Sequence, residues 1–337
     1  MNPSKRLFLL VAALVICVPV SIARAEVSEV RIAQQYGISY LGLMIMEREH
    51  LLQKHALAAG LADVKVSWSK FTGGGVMNDA LLSDSLDFAS GGIAPFLTLW
   101  AKTKGTSSEV GGVCARSSSE AYLDTRNPAI QTLKDFTSKD KIGLAAVKVS
   151  SVAVILQMAA EQQLGKGKQF ELDPLTVSMG PPDAMTALLS GVGGITANFT
   201  FPPYHDLQMQ HSGVRNVLRS NDVLGGPATL DMIYTTRKFR DANPKIYKAF
   251  LDAYQEAVDS INSDRDRAAD IYLEMSKVKS SKKEILDLLA DPSFTFTLVP
   301  MQNMKFADFM YRTGAIKVKP SSWKDLYFPE VHHLSGS

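Results

Sequence analysis

The sequence predicts a two-lobed α/β protein, an expectation carried by three observations. Short segments with apolar residues at every second position alternate with longer ones whose apolar residues recur at helical spacing. Two of the strand-to-helix junctions are glycine-rich, Thr72-Gly73-Gly74-Gly75 and Ser90-Gly91-Gly92. The chain, at 337 residues, is also longer than one ordinary domain and suits two lobes.

The amino terminus reads as an export signal. Lys5 and Arg6 form a basic start, Leu7 to Val20 an apolar core, and Ala23-Arg24-Ala25 a small-residue cleavage site before Glu26. The apolar core is shorter than the ~20 residues that span a bilayer as a helix. Ile16 stands before Cys17 where lipid attachment needs a small residue, so a lipoprotein is not expected. Removing residues 1–25 leaves 312 and takes away Lys5, Arg6 and Arg24 but no acid, so the net charge of +2 becomes −1. Nothing in that balance points to nucleic acid. Only Cys114 remains, which excludes an internal disulfide. No later stretch is long and apolar enough to cross a membrane.

Taken in order, Val27 to Ala33 alternates as a first strand and ends in the loop Gln34-Gln35-Tyr36-Gly37. Tyr40 to Met46, with Leu51 and Leu52, predicts one apolar helix. His50 and His55 on its later turns have no metal-ligand partner at suitable spacing and read as a solvated face. Val64, Val66 and Trp68 mark a second strand, and Val76, Met77, Ala80, Leu81 and Leu82 the helix after the triple glycine. Leu86 to Ala89 predicts a third strand, with Ser90-Gly91-Gly92 as a turn and Pro95 in the first turn of the next helix. In α/β sheets ligands bind outside the carboxyl ends of strands, and free N–H groups at helix starts favour anions. These junctions therefore predict a cradle for an anionic or strongly polar small molecule.

Val110 to Ala115 reads as a strand leading out of the first lobe, and Ser117 to Asn127 as a polar, turn-rich crossing. Leu133 to Phe136 gives a short helix and Lys141 to Ala145 a strand. Ser150 and Ser151 precede an apolar helix from Val152 to Leu164, where a serine caps the helix or offers its hydroxyl to a ligand. Leu175 to Met179 is a strand, and Asp183 caps a helix through Leu189. A faint internal repeat appears here. Ala80-Leu81-Leu82-Ser83 before Leu86–Ala89 matches Ala187-Leu188-Leu189-Ser190 before a strand at Gly193–Thr196.

That second copy ends in Asn198-Phe199-Thr200-Phe201-Pro202-Pro203-Tyr204. The prolines favour an extended loop, with Asn198 and Thr200 as polar tips and an aromatic as core or pocket wall. After a break at Gly225-Gly226-Pro227, Thr229 to Thr235 reads as a returning strand. The last third is helical and reads as packing: Asn243-Pro244 starts one helix, Asp264 to Met275 forms another, and Ser281 with Glu284 makes a capping box.

Several chemistries are missing. The triple glycine lacks the Lys-Ser/Thr of a nucleotide loop, and no G-x-G-x-x-G, G-x-S-x-G, paired cysteines or H-E-x-x-H occurs. The sequence thus predicts no enzyme, no catalytic residue, no metal and no cofactor.

The order of parts resembles a known family. V-R-I-A-x-Q-Y-G, W-x-K-F-T-G-G-G, A-L-L-S-x-x-L-D-F-A, a Ser-Ser helix start and P-x-D-A-M-T-A-L-L-S-G together look like the nitrate/sulfonate/taurine class of periplasmic substrate-binding proteins of ABC transporters. This class overlaps the thiamine-pyrimidine synthase family. The resemblance implies a type II periplasmic-binding-protein fold, with two α/β lobes joined by two crossovers near Cys114–Ser119 and Leu224–Asp231. Residues 26–115 and 226–337 would form lobe 1 and residues 116–225 lobe 2. The ligand cleft would be lined by Gln34, Gln35, Tyr36, Tyr40, Thr72, Gly73, Gly74 and Gly75. Gly92, Ile93, Ser150, Ser151, Val152, Asn198, Phe199 and Thr200 would complete it.

Two positions depart from the family. Gly194 stands where members often carry Asp, and Thr200-Phe201-Pro202 where many have aromatic-Glu-Pro. The missing acid argues against a ligand ammonium group on that side. The implied function is a periplasmic, monomeric solute-binding component that hands a sulfonate or carboxylate to an inner-membrane permease. A thiamine-precursor pyrimidine, a pyrimidine enzyme and a sensor subunit are the alternatives. The synthases use clustered Cys and His, which this chain lacks.

Overall fold

The computed structural model describes residues 25–337. The signal segment read from the sequence, apart from Ala25, lies outside the described residues. Among the described residues no helix is long and apolar enough to cross a membrane.

The first lobe is built from two sheets. Strands β1 (Glu29–Gln34) and β2 (Lys65–Lys70) pair in parallel. Strand β3 (Ala89–Gly92) is tied to β1 by a parallel bridge from Ile32 to Phe88. It continues into a four-stranded sheet with β4 (Val110–Ser119), β10 (Ala228–Thr236) and β11 (Thr295–Phe296), in the order β11-β4-β10-β3. The second lobe holds β5 (Tyr122–Thr125), β6 (Ile142–Leu144), β7 (Thr176–Ser178), β8 (Ala197–Thr200) and β9 (Arg215–Arg219), ordered β7-β6-β8-β5-β9. Strands β4 and β10 run antiparallel side by side and carry the chain between the lobes. The mixed sheets follow from the connections: β6 and β7 are joined through a helix and run parallel, whereas the long returning strands run antiparallel.

The carboxyl-terminal helices cover the first lobe. The stripe of Ile246, Phe250, Tyr254, Ala257, Val258 and Ile261 on helix Pro244–Ser263 is buried, as its spacing predicts. Phe250 stacks on Phe88 with ring centroids 3.8 Å apart. Ser281 and Glu284 form the expected capping box at helix Lys282–Ala290. Ser281→Ala should cost about 1 kcal/mol, measured as a lower urea midpoint at unchanged slope; an unchanged midpoint would mean that this helix end is solvated rather than capped.

Several local expectations are corrected. The apolar stretch after Tyr40 is two helices, Leu41–Arg48 and Leu51–Ala58, because His50 at φ 53° breaks the run. Ser90-Gly91-Gly92 is strand, not turn: Asp231 to Ile233 of β10 pair alongside and hold it extended. The crossing from Ser117 to Asn127 is mostly strand, since β4 runs on to Ser119 and β5 follows at once. Small hydroxyl side chains mark no turn there because they are packed inside the fold. The helix assigned to an Asp183 cap starts instead at Pro181, with Gly180 as cap. Its repeat partner fails at Gly193 and Gly194, whose positive φ values of 70° and 74° make a turn. Pro202-Pro203 leads straight into helix Tyr204–Met209 rather than an extended loop.

Candidate ligand cleft

The loops that leave the strand ends of the first lobe converge on the backbone of β3. Gln35 Nε2 and the Tyr40 hydroxyl both donate to the Ser90 carbonyl, at 3.4 and 3.0 Å. Burial pushes the Tyr40 hydroxyl pKa far up, so it stays a donor. Tyr36 is half-buried, with the Lys70 ammonium 5.2 Å from its ring centroid. Gln34 is buried and donates to Glu47 Oε2 at 2.8 Å, so its amide is committed within the lobe.

Gly73 caps helix Gly74–Leu82, with Thr72 and Gly75 exposed beside it. Gly74 is small by necessity: a Cβ there would lie 2.9 Å from the Pro95 side chain. Gly92 caps helix Ile93–Thr103, whose first residue, Ile93, is core.

On the second lobe, Ser150 caps helix Ser151–Leu164, accepting from the Ala153 N–H at 3.3 Å and donating to the Ala146 carbonyl at 2.8 Å. Val152 and Phe199 are core. Asn198 donates to Gln208 Oε1 at 2.8 Å, and Gln208 in turn donates to buried Asp124 at 3.1 Å. The Asn198 amide thus belongs to a polar network inside the lobe. The Thr200 hydroxyl is buried and has no hydrogen-bond partner among the described residues.

Part of this set meets across the lobes. Ser151 Oγ donates to the Leu230 carbonyl at 3.1 Å and accepts from the Ala94 N–H at 3.4 Å. A Cβ on Gly92 would stand 2.5 Å from that oxygen. The Ile38 N–H donates to the Pro202 carbonyl at 3.5 Å, and a Cβ on Gly73 would touch the Ala145 carbonyl at 3.6 Å. A surface pair adds to these contacts: Arg312 donates two bonds to Glu161, at 2.8 and 2.6 Å. The lobes therefore touch at Ser151, beside Gly92, and again between Ile38 and Pro202, whereas no hydrogen bond joins Gln35, Tyr36, Thr72 or Gly75 to Asn198, Phe199 or Thr200 among the described residues. Among the cavities, one of about 370 Å³ lined by Tyr122, His205, Asp206 and Asp291 contains none of the candidate residues. A smaller one, about 250 Å³, contains only Gln34 of them.

Sequence reading missed a charged pair beneath the cleft. Arg116 of β4 is 0% exposed and Asp231 of β10 is 15% exposed at the side chain, with Nη2 and Oδ2 3.1 Å apart. Arg116 Nη1 donates to the Ser39 carbonyl at 2.9 Å, its guanidinium lies 3.5 Å from the Tyr40 ring centroid, and the Ser39 hydroxyl donates to Asp231 Oδ2 at 3.2 Å. The signal was available. A lone Arg in V-G-G-V-C-A-R-S and a lone Asp in T-L-D-M-I-Y-T each sit in a strand, and a charge buried in a strand needs a partner.

Comparison with known proteins fits this architecture. Similar solved structures include the alkanesulfonate-binding protein SsuA from Xanthomonas axonopodis pv. citri bound to MOPS (18% identity, TM-score 0.68, covering 87% of this chain and 95% of that one). The periplasmic aliphatic sulphonate binding protein SsuA from Escherichia coli is also similar (21%, 0.65, 90% and 92%). So is the periplasmic nitrate-binding protein NrtA from Synechocystis PCC 6803 (15%, 0.67, 89% and 84%). These likenesses establish the two-lobed fold of periplasmic binding proteins. No curated protein matches the chain by sequence. The NMT1-like family model matches residues 23–274, most of the chain, and the protein therefore belongs to the NMT1-like family.

Proposed function

We propose that the protein is the solute-binding component of an ABC importer and takes a small organic anion, a sulfonate or a carboxylate, between its lobes. The observation that carries the reading is the direct meeting of Gly92, Ser151 and Leu230 across the lobes, at two helix starts. Helix starts supply N–H groups to an anion, half-buried Tyr36 supplies an apolar face, and lobe closure removes water. The solved relatives are named for alkanesulfonate and nitrate binding, which favours an anion. On this reading the chain is exported, cleaved after Ala25 and works as a periplasmic monomer. It has no catalytic activity and delivers its ligand to a membrane permease. Residues 26–115 with 226–337, and 116–225, are the two moving bodies.

A thermal-shift screen of residues 26–337 tests this. Alkyl and aryl sulfonates, carboxylates, nitrate, bicarbonate and thiamine pyrimidines form the panel. A ligand at 100 times its Kd should add about 2.7 kcal/mol to stability, a shift of several degrees expected for at least one anion. A pyrimidine hit alone would replace the anion reading, and a silent panel would refute it.

A further inference from the structure

Resting on that reading, we propose that Asp231 sets ligand specificity by accepting a hydrogen bond from an N–H or O–H donor that the ligand carries near its anionic head. Asp231 stands where the lobes meet. It lies opposite Gly92 in the β3–β10 register, and the carbonyl just before it, on Leu230, takes the Ser151 hydroxyl of the second lobe. Its two oxygens are not equivalent. Oδ2 receives both the Arg116 guanidinium and the Ser39 hydroxyl. Oδ1 accepts no hydrogen bond among the described residues, although the side chain is mostly buried.

A purely structural counter-ion would behave differently. A guanidinium and a carboxylate that serve only each other frequently engage through two parallel bonds. Here Arg116 gives Nη1 to the Ser39 carbonyl, and its Nε, also buried, bonds nothing among the described residues. The pair is thus held at one oxygen, and Oδ1, which keeps some contact with solvent, is left open to a donor that a ligand brings. Because Arg116 already balances the charge, the site requires a donor and not necessarily a cation. An amine or a hydroxyl beside a sulfonate or carboxylate meets the requirement.

Calorimetric titration with matched ligands tests the proposal: propanesulfonate, 3-aminopropanesulfonate and 3-hydroxypropanesulfonate, with the three corresponding propanoates. The wild-type protein should bind at least one donor-bearing member about tenfold or more tighter than its unsubstituted parent. Comparing amine with hydroxyl identifies the donor. In Asp231→Asn, the amide oxygen should stay with Arg116 and Ser39, turning the NH2 toward the ligand. The preference should then vanish or reverse. Equal or tighter binding of the unsubstituted parents by the wild type would overturn this inference and leave the anion cleft standing. Retained preference in Asp231→Asn would do the same. Binding of neither kind would overturn the anion cleft itself. The wild-type comparison can overturn the inference even if the variant folds poorly.

Discussion

Arg116→Met is expected to destabilise the protein by about 3–5 kcal/mol, the usual cost of removing one partner of a buried ion pair. Methionine fills much of the volume, so the loss comes chiefly from what Arg116 serves. Asp231 would be left without its cation, the Ser39 carbonyl without its donor, and the Tyr40 ring without the guanidinium over its face. Urea unfolding should show a lower midpoint. The double variant Arg116→Met, Asp231→Asn should lose less than the two single changes together, because the second change removes the charge that the first had stranded. A loss below about 1 kcal/mol for the single variant would mean that water reaches Asp231 well enough to replace the pair.

Gly92→Ala is expected to have the largest effect on ligand binding, a fall of about tenfold or more, the equivalent of ~1.4 kcal/mol. The backbone does not forbid alanine, since φ is −67° and ψ 152°. Space does. The new methyl would lie 2.5 Å from Ser151 Oγ and 3.3 Å from Pro95 Cδ. Ser151 cannot turn aside without losing its bonds to the Leu230 carbonyl and the Ala94 N–H. The lobes would then stop short of contact, and small-angle scattering in saturating ligand should report a larger radius of gyration than for the wild type. Adding Ser151→Ala should restore part of the affinity by removing the obstructing oxygen. Unchanged affinity and compaction would show that the lobes need not touch at this point for binding.

The parts of the fold legible in the sequence are those fixed by neighbours along the chain. Period-two strands such as β1, helix stripes such as that of Ile246 to Ile261, and the capping box at Ser281 all depend on residues a few positions apart. The glycine junctions were legible as helix starts, because Gly73 and Gly92 cap the helices that follow them. What was not legible depends on partners far away. Whether Ser90 to Gly92 is turn or strand is decided by β10, some 140 residues on. The destiny of Asn198 is decided by Gln208 and Asp124, which turn it inward. Arg116 and Asp231 were each visible as an isolated charge, but only the antiparallel run of β4 against β10 makes them a pair.

The contact between Ile38 and Pro202 is made by main-chain atoms alone, and the Ser151 contact lands on the main-chain carbonyl of Leu230. Such acceptors survive almost any exchange of side chain at the positions that carry them. In a lineage descended from this sequence, an exchange at position 36 leaves these main-chain contacts unchanged, whereas one at position 231 must answer to Arg116. Where a side chain has no buried partner of that kind, the proposed specificity and the meeting of the lobes are separable, and selection can act on one without first repairing the other.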